Sequence, residues 1–293
     1  MSNGSPTSFL VWSLLSCLFL CFLFYHLWSY DKFQCLKWDA GRQPGAFRRV
    51  MTYSYLMTVP LLVVFSVGLT VLKFEEGFSY SCVVRPKPVH LWTTNHQHIL
   101  LALYFVFSVA WALELVTHFE ELAFWLFLLD QGPSKREWFS SWEYRLWYTG
   151  CIAAILGMPL TALITRNELE TMDAWLFLIG SAGATATNVA FIYVLVRFPA
   201  FLRHVKAEGA EPDVVVRLSS FYEYNLLRVF FRFMSALPFL ALAIDGIMGT
   251  HPINDFLLVL AANGQFISSA ITLMIFFPRS FTAEAGYRTK ANS

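Results

Sequence analysis

Charged side chains are scarce in this sequence. They make up 14% of it and leave a net charge of only +1, where an ordinary soluble domain carries roughly 25%. That shortage excludes a chain that keeps most of its surface in water. The even balance of sign excludes a nucleic-acid partner, which needs a basic surface, and leaves no like-charge block to act as an interaction tail. Cysteine is sparse too. The five are Cys17, Cys21, Cys35, Cys82 and Cys151, with no CxxC and no Cys/His zinc spacing. There is no HExxH, no Gly-x-Ser-x-Gly and no Walker loop. No catalytic residue, no metal ligand and no cofactor is assigned, and an enzyme is the least favoured reading.

What the sequence has instead is apolar length. Hydrophobic residues are 57% of the chain, with 29 Phe and 10 Trp. They gather into seven long stretches at 7–30, 50–72, 98–129, 144–165, 174–199, 221–248 and 256–278. A bilayer's hydrocarbon core of about 30 Å takes roughly 20 residues of helix to cross. The expected fold is therefore all-α: a polytopic, integral membrane protein whose 293 residues form a single seven-helix domain. Residues 1–7 carry no base, and the apolar run behind them is longer than the about 7–15 residues of a signal peptide's core, so span 1 is read as a retained helix. Asn3-Gly4-Ser5 fits the N-glycosylation pattern. Cys35, just past span 1, is either an ordinary thiol or a palmitoylation site.

Lysine and arginine fix the expected orientation, because short cytosolic loops hold an excess of them. Lys32, Lys37, Arg42, Arg48 and Arg49 fall in the first loop. Lys135, Arg136 and Arg145 fall in the third, and Arg197, Arg203, Lys206 and Arg217 in the fifth. Arg279, Arg288 and Lys290 follow span 7. Those fifteen stand against Lys73, Arg85, Lys87 and Arg166 on the other side. The split predicts an N-terminus outside, a C-terminus in the cytosol, and a plasma-membrane or secretory-pathway location. Cys82 is then the only external cysteine, which excludes an intramolecular outer disulfide.

Several features mark how the spans pack. Pro60, Pro159 and Pro238 lie mid-span, each freeing a carbonyl and kinking its helix, either as a static bend or as a hinge. Residues 180–187 are all small, which lets a neighbouring helix approach closely or leaves a cavity. Span 3 meets an acidic break at Glu120-Glu121 and then resumes apolar character. It either continues as one long helix or bends into the interface plane; without Gly or Pro before Gly132-Pro133, continuation to 129 is the favoured expectation.

Polar groups in lipid are costly and need a partner or a task. Glu114, His118 and Glu121 are spaced i, i+4, i+7 and share a face of span 3. Asn225, Arg228 and Arg232 are spaced i, i+3, i+7 and share a face of span 6. Acid on one helix and base on another predicts a clasp between spans 3 and 6 near the cytosolic interface, a switch whose rupture would let the inner end of span 6 swing about Pro238. The alternative is two separate interfacial faces with snorkelling arginines. A second set, Asn188, Asn263, Gln265, Ser268 and Ser269 with Asp245, can line a ligand pocket opening outward, or can simply hydrogen-bond between helices. A third, external set holds His90, His96, His98 and His251 beside Glu75, Glu76 and Asp255. Three such side chains could bind zinc, but His96-x-His98 is not a helical ligand spacing and loop histidines beside a membrane are common.

Seven spans with this orientation resemble the layout of G-protein-coupled receptors over the whole chain. The family's motifs are not matched. The Asp-Arg-Tyr end of helix 3 is missing, Glu114 to Glu121 standing in its neighbourhood. The Asn-Pro-x-x-Tyr of helix 7 is missing, and Pro238 lacks its Cys-Trp-x-Pro context. The ending Phe276-Phe277-Pro278-Arg279-Ser280 is similar to the helix-7 ending of Golgi-type seven-helix proteins. Pro60 with Gly68 and Pro238 with Gly246 share one spacing, an echo of the parallel repeat in some sugar transporters. Span 7 has no lysine for a retinal Schiff base. No paired mid-span histidines are present for haem, and spans 5–7 have no histidine for an intramembrane zinc hydrolase. The layout implies a receptor-like protein with an outward cavity for a small ligand and a cytosolic partner at segments 31–49, 130–143 and 200–217. A small-solute transporter or channel and a trafficking or assembly protein are the alternatives. Beyond these, the only partner the sequence implies is the lipid bilayer.

Overall fold

The computed structural model describes residues 4–36, 45–80, 84–130, 137–248 and 254–277, apart from the side chains of 31, 35, 45–51, 80, 84, 85 and 213. Asn3, Cys82, His251, the 131–136 segment and everything after Phe277 lie outside these residues, as does the side chain of Cys35. The described chain holds seven helices long and apolar enough to cross a membrane: α1 (Pro6–Asp31), α2 (Gly45–Glu76), α3 (Thr94–Leu129), α4 (Trp142–Thr165), α5 (Leu169–Ala207), α6 (Pro212–Met248) and α7 (Asn254–Phe276). Two short antiparallel strands, β1 (Phe78–Tyr80) and β2 (Val84–Pro86), join α2 to α3, with Ser79 opposite Arg85.

Local chemistry sets the helix ends. The Ser5, Thr93 and Ser141 side chains accept from the amides of Ser8, His96 and Tyr144 at the starts of α1, α3 and α4, which satisfies donors a helix N-terminus leaves free. The α1 helix also has proline in its first turn and stops where Lys32 turns left-handed, at φ 52°. The acidic pair does not end α3, which runs unbroken through Glu120 and Glu121 to Leu129. The sequence ends span 5 at Pro199, yet α5 continues to Ala207. Proline removes a single donor, and tertiary packing holds the turns on either side of it: Phe198 stacks on Tyr222 at 5.6 Å and meets Phe221 at 5.5 Å, and Phe201, beyond the proline, packs against the same cluster. For the same reason α6 begins at Pro212, two turns before span 6.

The helices form a ring in sequence order, closed by α1 against α7, with α3 also packed on α5. The α3 helix is the hub and α4 the rim. In α3, 56% of the apolar stretch is buried, against 22% in α4. No backbone seam joins α3 to α6; long side chains bridge them. The α6 and α7 helices, by contrast, touch backbone to backbone. A Cβ on Gly264 would lie 2.7 Å from the Phe231 carbonyl oxygen and the Ser235 nitrogen, so only glycine allows this approach. At Gly180 the missing Cβ makes room for the Trp111 ring, which would sit 2.5 Å away. The small residues of α5 thus receive a tryptophan from α3.

Two aromatic layers divide the interior. The upper end is taken as that of the N-termini of α1, α3, α5 and α7. Below it Trp12, Phe65, Phe107, Trp111, Phe177 and Phe239 interlock, with Phe65 stacked on Phe107 at 4.2 Å and Phe177 on Phe239 at 4.8 Å. Near the lower end Trp125 lies 4.0 Å from Phe221 and 5.5 Å from Phe198. Helices in lipid gain little from the hydrophobic effect, so close contacts of this kind hold them together. Aromatic pairs add about 0.5–1.5 kcal/mol each beyond area burial. Between the two layers runs a seam of polar side chains.

Candidate functional site

The seam is where the two faces singled out in α3 and α6 meet. Glu121 is fully buried and accepts hydrogen bonds from two arginines one turn apart on α6. Arg228 donates to one carboxylate oxygen, and Arg232 Nη2 donates to the other at 3.0 Å. Arg228 also donates to the Asn225 side-chain oxygen Oδ1, while Asn225 Nδ2 donates to the Phe221 backbone carbonyl at 2.8 Å. The Arg228 guanidinium carbon lies 5.3 Å from the centre of the Phe191 ring of α5, a cation–π contact. Arg228 is 0% exposed. An arginine wholly inside a membrane bundle is held by its partners, because an unpaired charge there is very costly.

Seven residues further up α3, Glu114 Oε2 accepts from Gln265 Nε2 of α7 at 2.9 Å. Gln265 lies eleven residues from either end of α7, so this bond marks the middle of that helix's span. The polar seam therefore starts at mid-span and descends into the lower half; it is not confined to an interface. A cavity of about 20 Å³ adjoins it, bordered by Trp111, Glu114, His118, Asn188, Arg232 and Gln265 among others. That is room for a water molecule or two, far below the roughly 300–1,000 Å³ of an organic-ligand pocket. A smaller void of about 10 Å³ lies on the other side of Glu114, against Tyr55, Thr58, Thr117 and Gln265.

The second set of residues divides. Asn188 is 0% exposed, borders the cavity, and has no partner for either amide atom. Gln265 and Ser268 also border it, Ser268 donating to the Gln265 carbonyl at 2.9 Å. Asn263 does not; its amide donates to the Val259 carbonyl on its own helix at 2.8 Å. Asp245 is half-buried and borders neither void. His118 borders the cavity with Nδ1 unpartnered. The two sets of the sequence thus share one site, through Glu114, His118, Asn188, Arg232, Gln265 and Ser268. Tyr55, Thr58 and Ser235 belong to its walls and carried no signal beyond being polar letters in apolar runs. Glu120, next to Glu121, turns away toward α4. It is 2% exposed, Oε2 finds no hydrogen-bond partner, and Cys151 is its electrostatic neighbour.

The upper end carries a separate ionic lacing. Glu76 accepts from Lys87 and pairs with His96, both at 2.6 Å, and His90 Nδ1 lies 2.5 Å from Glu170. Asp255 accepts from the Ser5 amide at 2.7 Å and the Ser8 hydroxyl at 2.9 Å, while Lys73 donates to the Gly4 carbonyl at 2.9 Å. These contacts tie His90, the first turn of α3 at His96, and the start of α1 to the bundle. Among the described residues no group of three His, Cys, Asp or Glu side chains can hold a metal ion.

Compared with known proteins, the chain matches no protein-family model, no curated protein and no solved structure. Its likeness to G-protein-coupled receptors remains one of layout: seven apolar helices, with no family motif.

Proposed function

We propose that this protein is a receptor-like two-state switch, with its N-terminus outside, its C-terminus in the cytosol, and the α3–α6 clasp as its moving part. The observation that carries the reading is Glu121 held by both Arg228 and Arg232 with no backbone seam behind it. A buried ion triad is a poor source of stability compared with apolar packing, whereas a contact that can break in one step suits a switch. Pro238 lies six residues above Arg232, inside α6, where a kink lets the lower arm move. A small ligand acting from outside would loosen the Trp111–Phe239 contact, 5.2 Å between ring centres, which roofs the cavity. A cytosolic protein would read the lower ends of the helices. The location that follows is the plasma membrane or a membrane of the secretory pathway.

The test is a distance measurement between spin labels at Leu129→Cys and Val216→Cys, in a background otherwise free of cysteine, in lipid nanodiscs. Glu121→Gln keeps the side chain's shape and removes its charge. It should shift the distances to longer values and raise basal coupling to the partner. An unchanged distribution in a folded variant would sink the switch. A transport reading draws on the unpartnered amide of Asn188 in the cavity. It predicts that Gln265→Leu stays folded and abolishes solute flux in vesicles, and flux no greater than that of empty vesicles in the unmodified protein would remove it.

A further inference from the structure

We propose that Glu114 is a proton-binding site and that the two voids beside it hold the water through which the proton arrives and leaves. Glu114 and Gln265 border both voids, so the hydrogen bond between them is the wall that separates the two. The larger void, about 20 Å³, has the volume of a water molecule or two and the smaller, about 10 Å³, that of one at most, and the walls of each need one. In the larger void Asn188 presents an amide with neither atom paired, beside the unpartnered Nδ1 of His118. In the smaller, Thr58 Oγ1 is unpartnered. Buried polar atoms without a protein partner are the usual hosts of structural water.

The partner of Glu114 suits both protonation states. Gln265 donates an N–H to the carboxylate, while its own carbonyl oxygen has no partner. Turned over, the same amide offers that oxygen to a carboxylic acid O–H. On protonation an O–H bond forms on Glu114 as an O–H bond of a protonated water in the void breaks; that water takes its proton from the aqueous side, so the net change is the uptake of one proton.

The groups facing Glu114 fix what the proton does. Its own helix offers His118 and Glu121, α6 offers Arg228 and Arg232, and α2 offers Tyr55. From α1 comes Phe19, from α5 Asn188, and from α7 Gln265, Ser268 and Ser269, none of them titratable in this setting. With Glu114 ionised and His118 neutral, two carboxylates balance two guanidiniums. With Glu114 protonated the seam carries one excess positive charge, and Glu121 is the one carboxylate left to balance both arginines. A change of one charge in so dry a place is a local event that a bistable helix contact reports globally. Only that coupling rests on the switch reading; the proton site stands without it.

The test is infrared difference spectroscopy of the full chain in nanodiscs as pH is changed, in H2O and D2O. The carbonyl stretch of a protonated carboxylic acid should grow as pH falls, shift in D2O, vanish in Glu114→Gln and persist in Glu120→Gln. A band that survives Glu114→Gln, or no band at all, overturns the proposal. If Glu114→Gln does not fold, Gln265→Leu must move the band, because it removes the carboxyl's partner, and an unmoved band again overturns it. The spin-label distance at the same pH values separates the two ideas. A Glu114-dependent band with a fixed distance keeps the proton site and removes the switch. A changing distance without that band does the reverse.

Discussion

His90 and Glu170 at the top of the bundle, and Glu121 with Arg228 and Arg232 inside it, are made of the same kinds of contact. The first pair is 2.5 Å apart, with its side chains 63% and 48% exposed; the buried carboxylate has both oxygens bonded and is 0% exposed. Water screens the upper pair and would solvate each partner if the other were lost, so it contributes about 0–1 kcal/mol. The lower set has no bulk water, only the small cavity beside Arg232. Its ions exchanged full hydration for one another, which makes the intact triad no better than apolar packing and a half-broken one much worse. Position, not bond length, decides whether a charge pair is decoration or commitment.

That contrast can be broken from its stronger side first. Glu121→Ala leaves two buried guanidiniums facing each other and should cost about 3–5 kcal/mol, read as a large fall in melting temperature in detergent. Replacing the whole set is the sharper test. Glu121→Leu with Arg228→Met and Arg232→Met should be neutral, or stabilise by about 1–4 kcal/mol, and should abolish the two-state distance change. A large loss of stability in that triple variant would mean the ions hold the fold. Gly264→Ala drives a methyl into the α6 backbone and should cost about 1–3 kcal/mol by overpacking, measured by thermal unfolding. Glu170→Ala should change stability by less than about 1 kcal/mol, with an unfolding curve that overlays the parent's.

Much of the architecture was legible because lipid simplifies the code. Apolar run length marks a spanning helix, and seven such runs correspond to seven such helices. The spacing of Glu114, His118 and Glu121, and of Asn225, Arg228 and Arg232, put each set on one face, and on these helices a polar face turns inward. The amide set was harder. Gln265 and Ser268, three apart, share a face, but Asn263 lies about 200° round the helix from Gln265, which is why it bonds its own backbone. Proline misled at position 199, since one lost donor counts for less than the packing of Phe198. Trp111 seated on Gly180, and Tyr55 and Ser235 in the cavity walls, were not legible at all. A single residue in an apolar run carries no register until its partner helix is known.

The length of α6 below its proline has a mechanical consequence. Pro238 stands 26 residues from Pro212 and six from Arg232, arms of about 39 Å and about 9 Å at 1.5 Å per residue. A tilt of about 10° about the proline would carry Arg232 about 1.6 Å, enough to break its hydrogen bond to Glu121, and would sweep the tip about 7 Å on the same rise per residue. The helix is a lever with a fourfold ratio, its short arm latched to a carboxylate and its long arm carrying the contacts of Phe221 and Tyr222 with α3 and α5.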